Sequence, residues 1–151
     1  MTRRPPRSAD ERPRAILFLC VANSARSPMA EGLARSLAPA DVRVWSAGSH
    51  PTSVRPEAVA VLAEVGVDIA GQRSKAVSAV PAGEIDTVVT LCAEEECPVF
   101  LGSARRLHWG LPDPDAVQGD DATRLAAFRA VRDELMVRLR GLFEDRGGST
   151  S

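Results

Sequence analysis

Two short apolar runs constrain the fold of this chain most strongly, because each of them ends directly before a cysteine. Residues 15–19 (AILFL) precede Cys20, and residues 85–91 (IDTVVTL) precede Cys92. Apolar runs of this length between polar or small residues are typical of strands buried on both faces of a parallel sheet. Both cysteines are therefore predicted at the carboxyl ends of strands, the edge at which open α/β sheets bind ligands.

Helical patterns alternate with these strands. Apolar residues recur at helical spacing over residues 27–37, 56–65 and 122–143. Pro28 fits the first turn of the first helix, and Gly66 is a stop signal for the second. The order of strands and helices indicates connections that cross over between parallel strands.

Two further strands are predicted, at residues 42–46 and, more weakly, at 106–109. We therefore expect an α/β fold: a single-domain, open, twisted parallel sheet of about four strands with helices on both faces. The domain is predicted to cover residues 15–144. Residues 1–14, rich in arginine and proline, are predicted to be a disordered extension, and residues 145–151 a frayed tail.

Composition narrows the class of protein. With 151 residues, 44% of them hydrophobic, the chain has the size of one domain. Its net charge of -1 gives no reason to expect nucleic acid or an anionic membrane as a partner. No apolar run approaches the roughly 18 residues of a transmembrane helix, and the basic start lacks the apolar core of a secretory signal. We expect a cytoplasmic monomer whose cysteines are reactive thiols or metal ligands rather than structural disulfides.

The residues that follow Cys20 predict an anion-binding loop. They are small or uncharged, and a helix begins directly after them, so backbone N–H groups can surround a tetrahedral anion. Arg26 adds a planar cation that can engage two anion oxygens. The same positive field favours the thiolate form of Cys20, to which the Ser27 hydroxyl can donate. The predicted oxyanion-binding loop consists of Val21, Ala22, Asn23, Ser24, Ala25, Arg26 and Ser27.

Several motifs together resemble a known family. The stretch LCVANSARSPMAEG, with LPDP downstream, is similar to the low-molecular-weight protein tyrosine phosphatase superfamily. Within it, VWSAG, VVTLCAEEECPVF and HWGLPDP resemble the thioredoxin-coupled arsenate reductases, and the resemblance covers about residues 16–142. It implies a phosphatase-like fold and reduction of arsenate to arsenite in arsenic detoxification. It further implies no bound cofactor, and electrons from thioredoxin with thioredoxin reductase and NADPH upstream.

The resemblance also implies roles for individual residues. Cys20 would attack arsenate, and Asp113 of the LPDPD motif would protonate the departing oxygen. Cys92 would then release arsenite by forming a Cys20–Cys92 disulfide, and Cys97 would move the disulfide to Cys92–Cys97 for reduction by thioredoxin. Asp115 is the weaker candidate for the acid.

Two departures from the family bear on the substrate and the mechanism. Phosphatases of this superfamily carry tyrosines after the Asp-Pro pair, whereas this chain contains no tyrosine, which favours a small inorganic anion over an aryl ester. Three glutamates at residues 94–96 separate Cys92 from Cys97, and their charge should disfavour a thiolate at Cys97. The separation is also shorter than in the best-known members.

A potassium site of some family members is altered in this sequence. Asn23, Glu31 and Ser46 match positions that bind potassium there, but the matching acidic position is Lys75. The lysine ammonium can replace the potassium charge, so no metal is predicted. The alternative is that Lys75 is an ordinary solvated lysine.

Other functions remain open at this stage. The leading alternative is a phosphatase that acts on phosphotyrosine or a small phosphomonoester through a Cys20 phospho-enzyme, and weak phosphatase activity is expected in either case. A sensor that uses its thiols as ligands is a third possibility, as is a zinc site formed by Cys92, Cys97 and His108. Phosphate and sulfate are expected to compete with arsenate, and a small-molecule thiol could replace thioredoxin.

Overall fold

The computed structural model of the protein describes residues 13–93 and 103–144. The predictions for the N-terminal extension before residue 13, for Cys97 and for the tail after residue 144 lie outside the described residues. The domain boundaries as a whole therefore stay a prediction.

Within the described residues, four strands form one parallel sheet. They are β1 (Ala15–Cys20), β2 (Arg43–Gly48), β3 (Thr87–Cys92) and β4 (Arg105–Leu111), in the order β2-β1-β3-β4. Every residue of β1, which lies between two neighbouring strands, is buried. The predicted parallel sheet of about four strands is confirmed.

The two faces of the sheet carry helices of different kinds. The α-helices α1 (Arg26–Leu37), α2 (Pro56–Ala63) and α3 (Asp121–Phe143) pack together on one face. Two single-turn 3-10 helices, Val77–Ala79 and Ala82–Glu84, belong to the segment that covers the other face. Helices on both faces are thus confirmed. No helix of the described segments combines the length and apolarity needed to cross a membrane.

The alternation of side chains along β1 builds both cores. Ile16 and Phe18 face the α-helices, where the Phe18 ring lies 6.4 Å from that of Trp109. Leu17 and Leu19 face the opposite side and pack in a second cluster with Val80 and other residues. A strand that is apolar at every position is thus explained by apolar layers on both of its faces.

Element boundaries differ from the predictions by a few residues, for local reasons. Helix α2 ends at Ala63 rather than residue 65, because a turn follows in which Gly66 adopts a left-handed φ of 82°. Strand β4 is longer than predicted. It lies at the edge of the sheet, and its mixed pattern of exposure gives it no continuous apolar signal.

Candidate active site

The carboxyl ends of the strands carry three of the predicted site residues at one edge of the sheet. Cys20 ends β1, Cys92 ends the adjacent parallel strand β3, and the segment after β4 carries Asp113. A pocket of about 190 Å³ lies at this edge. The described residues that line it are Cys20, Val21, Ala22, Ser24, Ala25, Arg26 and Asp113. Cys20 is a buried free thiol, whereas Cys92 is disulfide-bonded.

The carbonyl groups of the loop between β1 and α1 bond to residues that are not among those described as lining the pocket. The N–H groups of His50, Thr52 and Arg55 donate to loop carbonyls at 2.8, 3.1 and 2.8 Å, and the Ser74 hydroxyl donates to a fourth at 2.6 Å. The accepting carbonyls are, in that order, those of Val21, Ala22, Ser24 and Asn23. Because C=O and N–H of a trans peptide point in opposite directions, the N–H groups of these peptides point away from these partners. The loop can therefore offer several backbone donors to one anion.

Asn23 fixes the shape of this loop. It is fully buried and has a φ of 48°, in the left-handed region that few residues other than glycine adopt. Its amide nitrogen donates to Ser27 Oγ at 2.7 Å and to Ser46 Oγ at 3.1 Å, and its oxygen accepts from the Lys75 N–H at 2.8 Å. Three hydrogen bonds thus hold the strained residue in place.

The thiol of Cys20 lies at the end of the same hydrogen-bond chain. Its sulfur is 2.8 Å from Ser27 Oγ, and both residues are buried. Because Ser27 Oγ accepts a hydrogen bond from the Asn23 side-chain amide, its own hydrogen is available to the sulfur. A hydroxyl that donates to sulfur stabilises a thiolate, which is the nucleophilic form of cysteine.

Arg26 lies at the wall of the pocket. Its side chain is almost fully buried, and its Nη1 donates to the carbonyl oxygens of Leu111 at 3.0 Å and Leu91 at 3.4 Å. Its Nη2 lies 3.8 Å from Asp113 Oδ2. The ends of β3 and β4 therefore hold a permanent positive charge beside the anion loop.

Asp113 and Asp115 have different surroundings. Asp113 caps the 3-10 turn Pro114–Ala116 by accepting from the Asp115 N–H at 3.0 Å, and its half-exposed carboxyl borders the pocket. The Asp115 carboxylate instead pairs with Arg124 at 2.8 Å and with Arg55 at 3.2 Å. Asp113 is thus the better placed of the two to exchange a proton in the pocket.

A buried carboxylate supports the loop from behind. Glu31 accepts a hydrogen bond from the Ser46 hydroxyl, and its other oxygen lies 2.8 Å from Arg35 Nη2. Lys75 Nζ is 3.6 Å from Glu31 Oε1, so the predicted group of Asn23, Glu31, Ser46 and Lys75 does meet in space. Sequence reasoning missed Arg35, although its spacing of four residues from Glu31 is the usual one for helical ion pairs.

Gly48 is a second residue that the sequence reasoning did not assign to the site. It ends β2 beside Cys20. A Cβ atom there would lie 2.5 Å from the carbonyl oxygen of Val21 and 2.8 Å from the backbone nitrogen of Asn23. Only glycine lets the end of β2 approach the loop so closely. The position of a glycine shortly after the predicted second strand was the sequence signal that could have indicated this close approach.

His108 does not act as a free ligand in this arrangement. Its Nδ1 lies 2.7 Å from Thr90 Oγ1 on the neighbouring strand. No group of three His, Cys, Asp or Glu side chains suited to a metal occurs among residues 13–93 and 103–144.

Comparisons with known proteins agree with this geometry. Residues 15–147 match the family model "Low molecular weight phosphotyrosine protein phosphatase". An arsenate reductase of Bacillus subtilis is 40% identical over 131 residues, which are 85% of this chain and 94% of that protein.

Two solved structures are similar as well. An arsenate reductase in a phosphate-binding state has a TM-score of 0.75 and 34% identity, covering 86% of this chain and 96% of that one. A thioredoxin-dependent arsenate reductase of Corynebacterium glutamicum has a TM-score of 0.64 and 27% identity, covering 87% of this chain and 60% of that one. The chain therefore belongs to the low molecular weight phosphotyrosine protein phosphatase family, and within it to the group that includes these arsenate reductases.

Proposed function

We propose that the protein reduces arsenate to arsenite and thereby serves arsenic detoxification. One observation carries the proposal: the buried thiol of Cys20 begins an anion loop at the same sheet edge at which a second cysteine, Cys92, ends the adjacent strand. A phosphatase needs only the first thiol, because water completes its reaction. A reductase must supply two electrons and needs a second thiol within the same site.

In the first step, the Cys20 thiolate attacks arsenic and a sulfur–arsenic bond forms. The arsenic–oxygen bond opposite the sulfur breaks, and Asp113 protonates the departing oxygen so that it leaves as water. The loop N–H groups and Arg26 stabilise the negative charge on the remaining oxygens. Arsenic is still pentavalent at this point.

In the second step, the Cys92 thiolate attacks the Cys20 sulfur. A Cys20–Cys92 disulfide forms, the electron pair of the sulfur–arsenic bond passes to arsenic, and trivalent arsenite leaves. Cys97 then attacks Cys92, which restores the Cys20 thiol and leaves a Cys92–Cys97 disulfide. One arsenate thus takes up two electrons, and two thiols are oxidised.

Electrons for the next cycle come from thioredoxin in this proposal. The thioredoxin-dependent relative of similar fold supports this choice over a small-molecule thiol. The reaction requires a reducing compartment, so we assign the protein to the cytoplasm, where it would act as a monomer without a bound cofactor.

The size and lining of the pocket favour a small tetrahedral anion as the substrate. It measures about 190 Å³, and none of the described residues that line it is aromatic. Phosphate and sulfate have the same shape and are expected to compete with arsenate. Lys75, whose Nζ lies 3.6 Å from Glu31, is proposed to take the place of the potassium ion bound by some relatives.

A coupled assay tests the proposal. Wild-type protein is mixed with arsenate, thioredoxin, thioredoxin reductase and NADPH, and the loss of NADPH is followed together with the arsenite formed. We expect continuous turnover for wild type, none for Cys20→Ser or Cys92→Ser, and at most one arsenite per chain for Cys97→Ser. Full steady-state turnover of Cys97→Ser would refute the three-thiol sequence.

Phosphatase activity is the second candidate, because the family model that matches the chain is that of a phosphatase. We expect only weak hydrolysis of p-nitrophenyl phosphate, through a Cys20 phospho-enzyme. A high kcat/KM with this ester, together with no arsenate-dependent loss of NADPH, would favour the phosphatase.

A further inference from the structure

Four charged side chains link the segment that carries Asp113 to the starts of α2 and α3. We call them the acid-loop clamp: Arg55, Glu57, Asp115 and Arg124. They come from three places in the chain, the start of α2, the turn after β4 and the first turn of α3. Opposite charges alternate within the clamp, so each carboxylate meets two guanidinium groups.

Arg124 makes the largest number of contacts in the clamp. Its Nη1 donates to the carbonyl oxygens of Asp115 at 3.1 Å and Val117 at 2.7 Å, and its Nη2 donates to Asp115 Oδ1 at 2.8 Å. Its Nε donates to Glu57 Oε2 at 3.2 Å. One planar side chain thus ties the backbone of the turn after Asp113 to helix α2.

Arg55 connects the same turn to the anion loop. Its backbone N–H donates to the Ser24 carbonyl at 2.8 Å, and its Nε lies 3.2 Å from Asp115 Oδ1. The N–H of Asp115 in turn donates to Asp113 Oδ1 at 3.0 Å. A continuous series of contacts therefore runs from the anion loop through Arg55 and Asp115 to Asp113.

The Arg124 guanidinium stays charged throughout the working pH range. Hydrogen bonds to Asp115 and Glu57 raise the pKa of Arg124 above its already high ordinary value. Arg124 is only about one-fifth exposed, and its guanidinium lies 5.9 Å from the ring of Phe128. Partial burial lowers the screening of these pairs by solvent.

The same two helices carry a second arginine–glutamate cluster that contacts neither loop. At the other end of α2, Glu64 pairs with Arg129 at 2.7 Å and with Arg132 at 2.8 Å. This cluster joins α2 to α3 with the same chemistry. It therefore offers a matched control for the clamp.

We propose that the acid-loop clamp positions Asp113 over the anion bound by the Cys20 loop, with Arg124 as the main positioning residue. The inference rests on the proposed function, in which Asp113 is the proton donor. A general acid must come within about 2.6–3.2 Å of the oxygen that it protonates. The clamp ties the acid-bearing turn to the loop that binds the anion and so fixes the distance between them. Asp115 acts through the clamp and not as an acid.

A double-mutant cycle tests this inference. Single-turnover formation of arsenite is measured for wild type, Asp113→Asn, Arg124→Met and the double variant, with Arg129→Met as the control. We expect Arg124→Met to slow the reaction about tenfold, a part of the 10²–10⁴-fold effect of a general acid, and Arg129→Met to change it less than about twofold. In the Asp113→Asn background, Arg124→Met should have almost no further effect.

Hydrolysis of aryl phosphates provides a second readout for the same variants. Arg124→Met should slow the release of phenol, a poor leaving group, far more than that of 2,4-dinitrophenol, which needs no proton. Arg124→Lys should lie between Arg124→Met and wild type, because lysine keeps the charge without the planar fork. If Arg124→Met does not fold, Arg124→Lys replaces it in the double-mutant cycle with Asp113→Asn.

Equal effects of Arg124→Met in both backgrounds, or an equal loss in Arg129→Met, would overturn the positioning role. An unchanged rate in Asp113→Asn would contradict both the role of Asp113 as the proton donor and the positioning role of the clamp. Failure of wild type to reduce arsenate would contradict the proposed function alone, because the aryl phosphates would still decide the role of the clamp.

Discussion

The polar residues behind the anion loop differ in burial from the Glu64–Arg129 ion pair that joins α2 to α3. Asn23, Ser27 and Ser46 are almost entirely buried and bond to one another within the protein. Glu64 and Arg129 lie at the surface and pair across two helices. Buried polar groups lose heavily when a partner is removed, whereas exposed ion pairs contribute little. We therefore expect changes behind the loop to reduce activity, and changes in the Glu64–Arg129 pair to affect stability alone.

The largest effect is expected for Gly48→Ala. A Cβ atom would lie 2.5 Å from the Val21 carbonyl oxygen, so the loop must move away from β2. A displacement of about 1 Å can cost a reaction about 100-fold, and we expect kcat/KM for arsenate to fall by about that factor. Titration calorimetry should show weaker binding of phosphate.

Gly83→Ala is the control for this substitution. Gly83 lies on the other face of the sheet, and a Cβ atom there would meet nothing within 4 Å. The kcat/KM of Gly83→Ala for arsenate should equal that of wild type. Normal activity of Gly48→Ala would contradict the view that close contact with β2 shapes the loop.

Asn23→Ala should have the next largest effect. The substitution removes two buried hydrogen bonds and one partly buried hydrogen bond, and places alanine at a φ of 48°. We expect the free energy of unfolding to fall by about 3–5 kcal/mol, at about 1 kcal/mol for each bond with a further penalty of about 1–2 kcal/mol for the backbone. Urea denaturation measures this loss, and iodoacetamide should alkylate Cys20 more slowly because Ser27 is no longer oriented. A stable variant with unchanged alkylation would contradict the role of Asn23.

The smallest effect concerns Glu64. Hydrogen bonds from Arg129 and Arg132 lower its pKa from 4.5 to about 2. Since the folded protein holds the ionised form, the pair contributes its stability above pH 4.5 and loses it as the pH falls through about 2. The difference in urea midpoint between wild type and Glu64→Gln should shrink as the pH is lowered from 4.5 to about 2.

Activity provides the control for Glu64. Single-turnover arsenite formation by Glu64→Gln at neutral pH should match that of wild type. A clear loss of arsenite formation in Glu64→Gln would contradict the expectation that this ion-pair cluster affects stability alone.

The central fold was predictable because its signals are local. Strands β1 and β3 are apolar runs between polar or small residues, and α1 has apolar residues at helical spacing. The three 3-10 helices of the described residues were not predicted, since three residues give no periodicity. The edge strand β4 gave only a weak signal because its side chains alternate between half-buried and exposed.

The site was predictable only in part, for a related reason. Cys20 and Arg26 lie in one continuous stretch, so the anion loop could be recognised from neighbouring residues. Asp113 and Lys75 were assigned through the family resemblance. Arg55 and Arg124 gave no signal, because ion pairs between residues far apart in the chain leave no local pattern. Such contacts depend on the packing of whole helices.

The most direct test of the central claim is a count of thiols after one turnover without a reductant. Fully reduced protein, which has three cysteines, is mixed with excess arsenate, and the remaining free thiols and the arsenite formed are measured. We predict one arsenite per chain and the loss of two thiols, with Cys20 free again at the end. Arsenite without loss of thiols, or no arsenite at all, would contradict the proposal that the electrons come from the protein's own cysteines.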